Sequence, residues 1–178
     1  QRCRTIEGGV LCPDGITLDM TCFTVGQVPY VVWAQRVMRL EEQEFGNSDL
    51  YIASVDPEKP WQMITEPKHL FPFDPEHEWE RLGEHNEDYG NAFIEGSWMF
   101  KYGDTYYLTY SAAGTEFSTY AMGCYTSKSP LSGFKCQELN PICKDTHGLV
   151  RGVGHGSIVR GPKGTLWVFY TIAVGYMG

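Results

Sequence analysis

Two acids and one histidine sit in stretches of this sequence that otherwise hold almost no charge. Asp19 lies within Leu18-Asp19-Met20-Thr21-Cys22-Phe23, Glu95 stands between Phe93-Ile94 and Trp98-Met99-Phe100, and His155 is flanked by Gly154 and Gly156. An unpaired charge is costly to bury, so an acid kept among apolar neighbours usually has a partner or a task. Paired carboxyl groups can split a glycosidic bond. One, its pKa raised by burial and by its neighbour's charge, gives a proton to the departing oxygen, while another activates water. Glu95, in the more apolar setting, is the candidate general acid, with Asp19 as the second acid. The glycines around His155 permit close backbone approach, which leaves the imidazole able to bond a water, an ion or the acid pair. Taken singly, Asp19 reads more simply as a solvated acid at a strand start, and His155 as a satisfied core histidine.

An internal repeat changes that balance. Laying Glu95 over His155 without a gap puts Gly96-Ser97 on Gly156-Ser157, Tyr106-Tyr107-Leu108 on Leu166-Trp167-Val168, and Tyr110-Ser111 on Tyr170-Thr171. Laying Asp19 over Glu95 puts Thr21 on Ser97, Tyr30 on Tyr106 and Val32 on Leu108. All three candidates then share one position of a unit seen three times.

Each unit reads as a strand, a tight turn and a second strand rich in aromatic and β-branched residues. The turns fall at Gly26, at Gly103-Asp104 and at Gly161-Pro162-Lys163-Gly164, where Gly, Pro and Asp supply hairpin chemistry. The first two units continue into third strands over residues 50–55 and 120–125, with fourth, edge strands expected around 62–64 and 134–137. No long helical periodicity competes. Four-stranded antiparallel units in series predict an all-β fold, a β-propeller, with blades over residues 16–75 and 90–140 and an incomplete one over 150–178. A β-sandwich is the competing architecture, but it gives no reason for the three residues to share a position. The first strands of propeller blades line one central channel, where such residues converge.

Composition narrows the function. A chain of 178 residues, 42% apolar and 14% aromatic, has the material for a packed core and is not of disordered type. A net charge of -8 without a basic patch argues against nucleic acid and anionic lipid as partners and suits a neutral oligosaccharide. No apolar run approaches a membrane span, and residues 1–9 lack an apolar signal core. The six cysteines are even in number, as a disulfide framework requires. Yet Cys22 and Cys124 lie in strand-like runs where a free thiol packs as a small hydrophobe, which favours a reduced, cytoplasmic protein over a secreted one. Paired CxxC knuckles, HExxH, phosphate loops and nucleophile elbows are missing, so no firm metal site is expected. In the acidic stretch 66–88, His69, His77 and His85 read as solvated loop residues, and Trp79 as a candidate sugar-stacking platform. The start at Gln1 and the stop just after Leu166-Trp167-Val168-Phe169-Tyr170 read as those of a fragment whose open edges are covered by further blades or another protomer.

Taken in order, Leu18-Asp19, Ile94-Glu95-Gly96, Tyr106-Tyr107-Leu108-Thr109-Tyr110-Ser111, Ser129-Pro130-Leu131-Ser132-Gly133-Phe134 and Gly154-His155-Gly156-Ser157 resemble glycoside hydrolase family 43. The likeness runs over nearly the whole chain. It implies a five-bladed propeller, of which about three blades are here. The family so resembled contains α-L-arabinofuranosidases, β-xylosidases, arabinanases and some galactanases, generally acting with inversion. The expectation for this chain is an inverting, exo-acting enzyme of the α-L-arabinofuranosidase or β-xylosidase type, active on plant cell-wall saccharides such as xylan, with no required cofactor. By that resemblance Glu95 matches the general acid, and Asp19 the aspartate that tunes its pKa and orients substrate. His155 matches the central histidine near a bound calcium, chloride or water. The family's catalytic base is an aspartate on a first blade upstream of Asp19, which this chain lacks; Asp14, the nearby acid, sits in the turn signature Cys12-Pro13-Asp14-Gly15. Many members follow the acid with Gly-Pro, where this sequence has Gly96-Ser97. A non-catalytic carbohydrate-binding propeller, or an inactive fragment lacking the base, is the alternative.

Overall fold

The computed structural model describes residues 16–39 and 44–174. Strand β1 (Ile16–Val25) turns at Gly26-Gln27 into β2 (Val28–Arg39), and β3 (Glu44–Ser54) and β4 (Lys68–Pro72) complete an antiparallel sheet in the order β1-β2-β3-β4. Gly26 has φ +64°, the left-handed conformation that a two-residue hairpin loop demands. A second sheet holds β5 (Ile94–Tyr102), β6 (Thr105–Ala112), β7 (Ala121–Ser127) and β8 (Lys135–Cys136), with β9 (Cys143–Lys144) also paired to β7. The third sheet is the pair β10 (Arg151–Arg160) and β11 (Leu166–Ala173). Among the described residues there is no α-helix, and the chain is all-β.

The fourth strand of the first sheet differs from the expected position. Residues 62–64 make a single bridge, Met63 to Val55, because the chain turns at Asp56, whose Oδ1 accepts from the N–H groups of Glu58 and Lys59. The strand forms later, where residues 68–72 pair with 49–52. His69 is thereby a strand residue, its Nε2 2.8 Å from Asp49 Oδ2, and not part of a loop.

The main core lies between the first two sheets, where Val32, Ala34, Leu50 and Ile52 meet Ile94, Met99, Leu108 and Tyr110. Residues one step along the strands, Val31, Trp33 and Ala53, point the other way and join Val55 in a separate cluster, as a side-chain period of two dictates. Each fully buried aliphatic side chain of this kind contributes about 1.5–3 kcal/mol. Cys124 is buried, as its apolar run suggested, but Cys22 faces solvent; Cys3 and Cys12 lie outside the described residues. Strand β5 packs beside β1, and β10 packs beside β5, β6 and β7. The first strands of all three sheets therefore stand next to one another.

Candidate active site

Each of those first strands carries a β-bulge at the same height. The ladder jumps from Leu18↔Ala34 to Thr21↔Val32, from Glu95↔Ser111 to Trp98↔Thr109, and from Gly154↔Thr171 to Ser157↔Phe169. The residue that opens each bulge is left-handed: Asp19 at φ +54°, Gly96 at +59° and His155 at +45°. Bulges of this kind place their first residue in that region, which glycine occupies freely and Asp or His at a cost of order 1–3 kcal/mol. This corrects the ungapped repeat. Asp19 and His155 are equivalent, but their counterpart is Gly96, and Glu95 precedes the shared position by one residue.

The side chains nonetheless meet. One ligand-type atom each of Asp19, Glu95 and His155 lies within 4.8 Å of the other two. Asp19 Oδ2 accepts from the Gly96 N–H at 3.0 Å and stands 3.8 Å from His155 Nδ1. Gly96 is required twice over. Its φ is positive, and a Cβ there would lie 3.1 Å from both Cα and Cγ of His155. The glycines beside His155 make room as expected: a Cβ on Gly154 would strike the Tyr120 ring, and one on Gly156 would lie 2.5 Å from Met122 Cε.

Glu95 is the buried member, 9% exposed, whereas the His155 side chain is 43% exposed. Burial pushes the Glu95 carboxyl above its ordinary pKa, and the charge of Asp19 adds to that shift. A hydrogen bond from Tyr120 Oη to Glu95 Oε1 at 2.7 Å and the nearby His155 act the other way. The result is a carboxyl group inclined to hold its proton beside another acid, the pairing that protonates a leaving oxygen.

Neighbouring sheets fix the backbone on which Glu95 rides. Buried Ser48 of β3 accepts from the Ile94 N–H at 2.7 Å and donates to the Ile94 C=O at 2.6 Å. Thr21 Oγ1 donates to Ser97 O at 2.8 Å, and the Trp98 indole N–H donates to Ile158 O at 2.9 Å.

Sequence reasoning missed Tyr120 and Ser111, which look like ordinary strand residues, and it missed a second buried acid. Glu80, 1% exposed, accepts from Tyr110 Oη at 2.6 Å, bonds His77 Nδ1 at 2.8 Å and accepts from the Asp74 N–H at 3.1 Å. Burial raises its pKa. His77 is thus a partner of Glu80 and not a free loop residue. Trp79 is also corrected. It is 8% exposed and belongs to the main core, packed so tightly that a Cβ on Gly123 would lie 2.5 Å from its Cη2, so its ring faces are not offered to a sugar. A surface groove of about 940 Å³ beside His77, His85 and Lys144 includes none of the three central residues.

Asp19, Glu95 and His155 offer two carboxylates and one imidazole nitrogen to a common point, a set that a calcium ion, which takes about 6–8 ligands, would have to complete with waters.

An all-β chain whose adjacent first strands bring two carboxyl groups and a histidine together has the build of a glycosidase domain. It belongs to glycosyl hydrolases family 43, whose model matches residues 9–176. The chain is 35% identical over 114 residues to "Alpha-L-arabinofuranosidase B" of Pyricularia oryzae, covering 64% of this chain and 21% of that protein. It is 29% identical over 126 residues to "Extracellular exo-alpha-(1->5)-L-arabinofuranosidase" of Streptomyces avermitilis, covering 70% and 23%. It thus spans under a quarter of either curated relative. Its fold matches an α-L-arabinofuranosidase from Lactobacillus brevis with a TM-score of 0.66 at 28% identity, over 92% of this chain and 48% of that one. It matches a thermostable family-43 glycoside hydrolase with a TM-score of 0.72 at 20% identity, over 96% and 60%.

Proposed function

We propose that this chain is about three blades of a five-bladed propeller from an inverting, exo-acting glycosidase, of the α-L-arabinofuranosidase or β-xylosidase type, acting on plant cell-wall saccharides. The observation that carries the reading is the pairing of buried Glu95, its pKa raised by burial and by the charge of Asp19, with Asp19 inside 4.8 Å. Glu95 protonates the departing oxygen. Asp19 raises the acid's pKa and orients the sugar. Inverting enzymes hold acid and base roughly 6.5–9.5 Å apart to admit water, so Asp19 is too close to serve as base. That role falls to an acid outside the described residues, such as an aspartate on a further blade; Asp14 also lies outside them. His155 holds a water against the acid pair. The arabinofuranosidase names of both curated relatives favour arabinose as the sugar removed.

The test uses the full-length protein and a pair of arabinofuranosides or xylosides. Glu95→Gln should reduce kcat by roughly 10²–10⁴ on substrates with poor leaving groups, the usual worth of general acid catalysis. It should spare nitrophenyl glycosides, whose leaving group needs no proton. Equal losses on both would remove Glu95 from the acid role.

A further inference from the structure

A carboxylic acid that donates a proton must carry it on one particular oxygen, and the hydrogen bonds behind Glu95 select which. The His155 backbone N–H can only donate, and it does so to Ser111 Oγ at 2.7 Å. Ser111 keeps its own hydroxyl proton for another acceptor, and its side chain acts on the Tyr120 phenol so as to lower that group's pKa, the effect of a donor facing the phenol oxygen. The phenol has one proton, and it points at Glu95 Oε1 from 2.7 Å. Burial and the charge of Glu95 push the Tyr120 hydroxyl far above its ordinary pKa, so it stays protonated. Ser111 is 0% and Tyr120 1% exposed, which keeps bulk water from replacing either link.

Resting on the reading of Glu95 as general acid, we propose that Ser111 and Tyr120 are positioning residues. They form a one-way hydrogen-bond chain from the His155 amide to Glu95 Oε1 that reserves Oε2 as the proton-donating atom. The framework supports such a chain. Ser111 stands opposite Glu95 in the β5–β6 ladder, and Gly154 leaves the space that the Tyr120 ring fills. Other charged groups near Glu95 come from several elements: Asp19 on β1, Arg36 on β2, Glu116 ahead of β7 and His155 on β10. Among the described residues, the hydrogen bond at Oε1 comes from Tyr120.

In the step itself the proton leaves Oε2 for the glycosidic oxygen. The bond between that oxygen and the anomeric carbon breaks with its electron pair going to the oxygen. Water adds to the carbon and yields its proton to the base. Glu95 becomes a carboxylate, and the Tyr120 bond strengthens as that charge develops, which favours the transition state over the ground state.

The experiment measures kcat and KM for full-length Tyr120→Phe, Ser111→Ala and the double variant, on substrates with poor and good leaving groups. Tyr120→Phe should lower kcat roughly ten- to a hundredfold on the poor leaving group with KM little changed, as expected for a hydrogen bond to a developing charge. It should leave the nitrophenyl substrate nearly unaffected. Ser111→Ala should lower kcat on the same substrate by less, and the double variant should be no worse than Tyr120→Phe alone, because both act on one chain. Should Tyr120→Phe not fold, Ser111→Ala, which removes a single hydroxyl, reads the same split. Unchanged kinetics, or equal losses on both substrates, would overturn the proposal. If Glu95→Gln itself shows no leaving-group dependence, the acid assignment fails instead.

Discussion

Glu95 is kept in a state that proteins ordinarily avoid, a carboxyl group sunk among apolar atoms with another acid inside 4.8 Å. Its raised pKa has two consequences. The basic limb of kcat/KM should lie above the ordinary carboxyl range, and in Glu95→Gln that limb should vanish from the residual rate on poor leaving groups. A pH profile of the full-length enzyme checks this. The second consequence concerns stability. A carboxyl with a higher pKa in the folded state contributes stability that is complete below its unfolded pKa and lost as pH rises through the folded one. Glu95→Gln escapes that loss, so it should melt above the wild type at neutral pH, with the gain shrinking as pH falls toward 4.5, the ordinary glutamate value. A gain that grew in acid would reverse the sign of the argument. Asp19, Glu95 and His155 were legible in the sequence because charge among apolar neighbours is conspicuous. Tyr120, Ser111 and Glu80 were not. A hydroxyl in a strand looks the same whether it packs or orients a carboxylate, and Glu80 lies in an acidic stretch where burial has no local signature.

Ser48 has one hydroxyl and uses it on both polar groups of the Ile94 backbone, one residue from Glu95. Replacing it with alanine strands a buried N–H and a buried C=O, each worth about 1–3 kcal/mol when left unsatisfied. Ser48→Ala should therefore lower the melting temperature and reduce kcat, and calorimetry with the two-substrate assay would record both. At this scale the hairpins were readable from their turn residues, and the third strands from their apolar runs. The register at the site was not. A bulge adds a residue to one strand and leaves its partner alone, so an ungapped repeat passes through it one residue out of step. The fourth strand was misplaced for a related reason, because the turn at Asp56 uses up the segment that a minimal hairpin would have paired.

Three sheets contribute to the site, and the last of them is the least covered. Trp167 and Phe169, on one side of β11, are 55% and 59% exposed, and Tyr170 is 44% exposed. An open strand edge flanked by aromatics is a template for association. Residues 1–178 prepared alone should self-associate, and Trp167→Lys with Phe169→Lys should reduce the light scattering; equal scattering from both proteins would show that another surface is responsible. The division of labour among the sheets also bears on how the protein is made. A ribosome releases the chain from its amino end, so Asp19 and Glu95 emerge and pack while β10 is still unsynthesised. The amide that sets the direction of the Ser111 and Tyr120 hydroxyls belongs to His155, and it comes last. On this reading, a half-made molecule already holds both acids, and the docking of the third sheet is what adds the amide that orients the proton.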